Sequence, residues 1–450
     1  MIFGRTTSVI SSFETVFRRF PSTRSSRASD GCSGVWAFAP VSSGAVPAAA
    51  GTGQPGSKLH HTAVIPLPVV LSGASASSGG EFVYAVGSDV AGLDPSGTTD
   101  GTSFLVTRQI YETLVTNEPG GTLPRPGLAE SWIVSSDGLT WTFRLRPGVK
   151  FHDGTPLDAA AVVYNFQRWW DPAHPFHDGP FEYFGFMFYG FKGDPGCLLG
   201  NVLAVGTDQV QLVLTRPYSP LPSTLAMPPF AIASPAAIQA GTLAEHPVGS
   251  GPFKFLGRVS GINIDLEADP AYWGTPTSLS LLQFVVIPAS EDRLQALLNG
   301  SIDSSGDLTI EHALIAVDQP SLQVQWRESD KLGYLGINSA VPGLSDPQVR
   351  QAIAHAINLP GLIANHYPFG SQPADQFLPS AIWGRDPELD GYSYDPDLSV
   401  SLMSQAGYTD VYTTTLAYRN VVRAYLPDPP AVAEDIRASL LQVGIDATII

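Results

Sequence analysis

The sequence predicts a mixed α/β protein, and three observations carry that reading. Residues 139–146 alternate apolar with polar side chains, as a half-buried strand does. Capped, amphipathic helical segments follow strands at short intervals along the chain. The 450 residues are 44% hydrophobic, enough for about three units of ordinary domain size, and a mean hydropathy of +0.08 sets the chain apart from disordered sequences.

The elements follow in order. Glu81–Val86 reads as a short strand, and Thr107–Val115 as a helix with Ile110 and Leu114 on one face. Leu139, Trp141, Phe143 and Leu145 alternate with Thr140, Thr142, Arg144 and Arg146. Pro147-Gly148 and Asp153-Gly154 then turn the chain around Val149 and Phe151. Asp158 caps a helix through Val162, Val163 and Phe166. Val210, Leu212 and Leu214 mark another alternating strand. Residues 282–288 form a buried one, leading into a helix capped by Ser290 that stops at Asn299-Gly300. Gly333–Asn338 begins another unit. Asp346-Pro347, Asn358, Asp395-Pro396 and Asp428-Pro429 each open a helix. Leu398, Leu402 and Ala406 form the apolar face of the third of these, and Ile445–Ile450 is an apolar strand.

Net charge is −17 at pH 7, unevenly spread. Residues 1–80 hold six Lys/Arg against two Asp/Glu, a net +4, which leaves −21 for residues 81–450. So acidic a body repels phosphate backbones, and nucleic acid is not an expected partner. The two cysteines, Cys32 and Cys197, supply neither a disulfide framework nor a cysteine zinc site. No apolar run reaches the roughly 18 residues that span a bilayer. Thr62–Ala76 is mildly apolar and ends in Ala74-Ser75-Ala76, placed like a signal-peptidase site, so residues 58–80 read as a signal-peptide-like segment. Leu71-Ser72-Gly73 resembles the start of a lipoprotein box, but Ala74 stands where the lipidated cysteine belongs. Residues 1–57, rich in Ser, Gly, Ala and Arg, read as a disordered leader or an over-extended reading frame.

Enzyme chemistry finds little foothold. His152-Asp153 sits at a turn, Gly249-Ser250-Gly251 lacks the spacing of a nucleophile elbow, and no phosphate loop or metalloprotease motif occurs. His174 and His177 are the one close histidine pair in residues 81–450, read as loop histidines rather than metal ligands. Phe181–Phe191 (FEYFGFMFYGF) is either a ring-lined ligand wall or core packing, the latter favoured.

Residues 125–166 (RPGLAESWIVSSDGLTWTFRLRPGVKFHDGTPLDAAAVVYNF) resemble the signature block of the solute-binding proteins of peptide- and nickel-type ABC importers, solute-binding family 5. Leu93-Asp94-Pro95, His246–Gly251 with Pro252–Leu256, and Leu266–Gly274 resemble further family segments, so the likeness extends over residues 81–450. It implies a two-lobed, periplasmic-binding-protein-like α/β fold of class II, with an extra subdomain in the first lobe. The expected division is 81–116 with 244–330 as first lobe, 117–243 as inserted subdomain and 331–450 as second lobe. That second lobe is expected to be incomplete, because family members continue past this point through a return strand and a G-W-x-x-D segment. Ile445–Ile450 is accordingly expected to lack a strand partner. Ala161 replaces the acidic residue usual early in the family's helix.

Arg423–Glu434 (RAYLPDPPAVAE) resembles the segment of dipeptide-binding members in which an arginine pairs with the ligand's C-terminal carboxylate. Arg423 and Tyr425 fall on its Arg and Tyr and are the candidate ligand-binding residues; the alternative for Arg423 is a solvated loop arginine beside Arg419. The resemblance implies an exported, periplasmic or cell-surface monomer, peripheral to the membrane. It would deliver a small peptide to an ABC permease and ATPase, with no cofactor, no metal and no catalysis. Nickel-chelate, opine and oligosaccharide binders of the same family remain alternatives, as does a secreted α/β hydrolase.

Overall fold

The computed structural model describes residues 67–72 and 79–450, apart from 307, 328–330, 369, 380–381, 383, 387 and 421–424. The leader, Cys32, Ala74-Ser75-Ala76 and Arg423 therefore lie outside the described residues, and of the signal-like segment only the backbone strand Leu67–Ser72 and the residues from Gly79 on are within them. The described chain falls into two compact units, Pro68–Gln325 and Trp326–Ile450.

The larger unit is built on a seven-stranded mixed sheet. Its order is Phe253–Val259, Asn263–Ala268, Leu279–Val286, Gly80–Val86, Ser304–Ser305, Leu67–Ser72 and Leu322–Arg327. The first three strands pair antiparallel; Gly80–Val86 runs parallel to Leu279–Val286 and to Ser304–Ser305. Phe82, Tyr84 and Val86 pack with Val106, Ile110, Leu266 and Phe284 on one face. Ala85 packs with Leu294, Leu297, Leu308 and Ala313 on the other. A strand covered on both faces has no solvent side, so Phe82–Val86 reads as a continuous apolar run.

Between Gly80–Val86 and Phe253–Val259 the chain forms a separate four-stranded antiparallel sheet. Its order is Ala129–Val134, Thr140–Leu145, Gln209–Leu214 and Leu199–Val205. Trp141, Phe143 and Leu145 are buried while Arg144 is exposed, as the alternation requires. The helix Ala159–Trp170 starts where Asp158 accepts the Ala161 amide at 2.9 Å, and it packs on the last two strands of that order. Gly148 and Gly154 take φ values of 77° and 84° at the two turns, a conformation that favours glycine.

The smaller unit has its own core around Val349, Ile353, Met403, Ala433, Leu440 and Ile445. Asp346, Asn358, Asp395 and Asp428 each cap the helix that follows, with proline at its first or second position.

Four expectations are corrected. The first helix is Gly101–Ile110, because Asp100 accepts the Ser103 amide and sets the start; Glu112–Thr113 and Val115–Asn117 are strands. Ser290 does not cap its helix; its hydroxyl accepts the Thr309 amide at 2.9 Å and lies 2.7 Å from His312 Nδ1. In the helix Pro396–Gln405 the buried residues are Ser399 and Met403 while Leu398 is exposed, since Ser399 donates its hydroxyl to the Ala352 carbonyl. Finally, Ile445–Ile449 is paired: it runs parallel to Tyr412–Leu416 across the helix Pro429–Gln442.

Candidate functional site

In the smaller unit, Tyr425 is partly buried, and its carbonyl accepts the Tyr367 hydroxyl at 3.3 Å. Burial pushes the Tyr367 phenol above its usual value. A Cβ on Gly333 would lie 2.7 Å from the same Tyr425 carbonyl, so a glycine lets the two backbones touch. Downstream, Asp428 caps the helix Pro429–Gln442, and His366 Nε2 meets Asp435 Oδ2 at 2.6 Å, tying that helix to Leu359–His366. Glu434 is exposed and paired with Arg437 through both carboxylate oxygens. The backbone at Tyr425 is thus anchored by Tyr367 and by the capped helix beyond it. Nearby in sequence to Gly333, Tyr334 and Phe377 pack at 4.9 Å in a groove of about 490 Å³ that Tyr392 and Arg350 also line. Arg350 donates Nη1 to the Leu344 and Ser345 carbonyls.

In the larger unit the HPVGSG segment crosses the end of the first helix at backbone contact. The Gly251 amide donates to the Ile110 carbonyl at 2.8 Å. A Cβ on Gly251 would lie 2.6 Å from the Gln109 carbonyl, and one on Gly249 still closer to Ile110. Between these glycines Ser250 donates to Glu112 at 2.9 Å; Tyr272 and Trp273 donate to it at 2.8 and 2.6 Å. The Arg146 guanidinium lies 5.1 Å from the Trp273 ring and faces the same carboxylate. Burial pushes Glu112 up to about 7 against the pull of its three donors, and raises the Tyr272 phenol further still. Sequence reading missed this cluster. Its local signals, Glu112 after an aromatic and Tyr272-Trp273-Gly274, lie 160 positions apart.

Asp94, of the Leu93-Asp94-Pro95 segment, accepts the Ser96 amide and hydroxyl with one oxygen and Arg168 Nη2 at 2.7 Å with the other. Arg168 also reaches Asp178 at 3.0 Å and the Phe176 carbonyl at 2.9 Å. Burial pulls its pKa down, yet the two carboxylates hold it above the ordinary arginine value. The aromatic run divides as sequence reading favoured: Phe181, Phe184 and Phe188 are buried among other rings, whereas Phe186 and Tyr189 are exposed. His177 Nδ1 sits 2.7 Å from the Arg168 carbonyl, and His174 accepts the Phe176 amide. Among the described residues no group of three metal-type ligands converges.

The residues of the sequence's catalytic-looking pairs have other work. His152 Nε2 meets the Gly251 carbonyl at 2.9 Å, and burial lowers its pKa. Asp153 accepts Ser234 and Thr155; burial would raise its pKa, but these bonds bring it below the usual carboxylate value. Ser250 is engaged by Glu112. These hydrogen bonds fasten the turn at His152-Asp153 to Gly251 and Ser234, and Ser250 to Glu112.

The chain matches the sequence profile described as bacterial extracellular solute-binding proteins, family 5 Middle, over residues 124–450. Heme-binding protein A of Haemophilus influenzae is 31% identical over 389 residues, 83% of this chain and 70% of that protein. The dipeptide-binding protein of Escherichia coli is 31% identical over 407 residues, 85% of this chain and 74% of that one. Among solved structures, HbpA2 from Haemophilus parasuis superposes with a TM-score of 0.76 at 30% identity, covering 82% of this chain and 75% of its own. DppA from Helicobacter pylori, in complex with peptide STSA, gives 0.62 at 28% identity, covering 83% and 74%. The chain belongs to the family 5 bacterial extracellular solute-binding proteins, and its α/β fold is the family's two-lobed fold. Among the described residues no helix is long and apolar enough to cross a membrane.

Proposed function

We propose that this chain is the exported solute-binding component of an ABC importer, capturing di- or oligopeptides for a membrane permease and its ATPase, and making or breaking no bond. The observation that carries the reading is the family match over residues 124–450, joined to the likeness to a peptide-bound structure. Arg423 is assigned the peptide's terminal carboxylate, because a guanidinium fork grips a carboxylate directionally. Tyr425 is assigned a wall of the same subsite, supported by the anchoring of its backbone by Tyr367. The aromatic groove of Tyr334, Phe377 and Tyr392 suits tolerant contact with varied side chains.

Isothermal calorimetry with a dipeptide panel tests this, with the ligand recovered and checked by mass. Reversible one-to-one binding with the peptide intact is expected, and Arg423→Ala should weaken it about tenfold or more. Hydrolysis of the peptide, or Arg423→Ala binding unchanged, sinks the respective assignment. Because a relative named heme-binding protein A is 31% identical, haem belongs in the panel, beside nickel chelates, opines and oligosaccharides.

A further inference from the structure

The strand Leu67–Ser72 falls inside the segment that reads as an export signal, just ahead of Ala74-Ser75-Ala76. The fold gives that strand structural work. It lies within the seven-stranded sheet, hydrogen-bonded to Ser304–Ser305 on one side and to Leu322–Arg327 on the other. Val70 stands opposite Ser305 and Leu71 opposite Ser304, antiparallel, while Ser304–Ser305 runs parallel to Gly80–Val86. The sequence suits the position. Val69 and Val70 favour extended backbone, and Pro68, which has no amide to give, stands near the strand's start.

Pairing decides what the strand holds. Leu322–Arg327 ends the sheet, so among the described residues Leu67–Ser72 is its one strand neighbour. Without that neighbour Leu322–Arg327 keeps its packing, Leu322 being buried in the cluster of Ala85, Leu297 and Ala313. It loses its ladder, and the amides and carbonyls so released form an open edge. Access is decided by the same bonds. A backbone paired on both sides offers no group to a receptor, so the segment is either in the sheet or free to be read, never both at once.

We propose that Leu67–Ser72 is a latch in the unprocessed chain. Folding draws it into the sheet, where it secures Leu322–Arg327 and withdraws its own backbone from any receptor. The latch rests on strand pairing alone; its bearing on export rests on the importer reading and on residues 58–80 as the export segment.

Hydrogen exchange by mass spectrometry on the full chain tests this, because the exchange rate reads the fraction of time a backbone is free. In the wild type, the amides of residues 69–72 should exchange at least about a hundredfold more slowly than an unpaired chain. Val70→Pro removes one amide of the strand. It should bring both the rest of Leu67–Ser72 and Leu322–Arg327 to within about threefold of the unpaired rate. Thr140–Leu145, in the separate four-stranded sheet, should stay protected and report that the variant folds, and Val70→Ala, which keeps the amide, should leave the wild-type pattern. Wild-type exchange of residues 69–72 at the unpaired rate overturns the proposal, whatever the variants do. So does Leu322–Arg327 staying protected in Val70→Pro. Dipeptide calorimetry reads the importer assignment separately, so either can fail alone.

Discussion

Glu112 shows how one side chain can be pulled in two directions. Ser250, Tyr272 and Trp273 all donate to it, an arrangement that suits the carboxylate, while burial favours the acid. Its folded value of about 7 stands above the ordinary 4.5. The folded state therefore holds a proton that the unfolded chain has already released. This contribution to stability is complete below pH 4.5 and is lost as pH rises through about 7, at most about 3 kcal/mol. Glu112→Gln removes the titration and keeps the shape. Denaturant titrations from acid to mildly alkaline pH should show wild type losing stability relative to this variant as pH rises; parallel profiles would refute the assignment. Gly251 gives a steric counterpart. With a Cβ 2.6 Å from the Gln109 carbonyl, Gly251→Ala should cost about 2 kcal/mol or more, and a loss under about 0.5 kcal/mol would mean the crossing relaxes.

Helices and strands differed in how much of them could be read ahead. Asp158, Asp346, Asn358, Asp395 and Asp428 each serve an amide two or three residues on, so their helices were legible from neighbours alone. Asp158→Ala should cost about 1 kcal/mol, read as a shifted denaturation midpoint, and Asp158→Ser should recover most of it. Legibility fell wherever partners are distant. Glu112–Thr113 read as helix because Ile110 and Leu114 share a helical spacing, yet its pairing with Ala231–Ile232 makes it a strand. Leu398 looked like core by the same spacing, but the Ser399–Ala352 hydrogen bond turns the helix by about one residue. The Arg168 and Glu112 clusters join residues 74 and 138 or more positions apart, and no local pattern announces such meetings. Ligand chemistry was legible only through resemblance, at Arg423 and Tyr425.

At the scale of the molecule, each unit carries its own core: one spread over both faces of the seven-stranded sheet, one around Val349 and Ile445. Units with separate cores unfold as separate cooperative blocks. Calorimetry of the unliganded chain should resolve two heat-absorption steps, the earlier expected from the smaller unit, because a shorter chain generally buries a smaller share of its surface. A single step matching its van't Hoff enthalpy would show that the units melt as one. Bound solute should raise whichever step belongs to the residues it touches, by an amount that follows its concentration over Kd.

The parallel pairing of Tyr412–Leu416 with Ile445–Ile449 has a consequence for synthesis. The earlier strand leaves the ribosome with three consecutive threonines, Thr413, Thr414 and Thr415, and no partner. Its hydrogen bonds wait until the whole helix Pro429–Gln442 and the strand after it have been translated. For that interval the nascent chain carries an open β-edge that can template a wrong neighbour. A chaperone that shields strands during translation would find a target in this stretch.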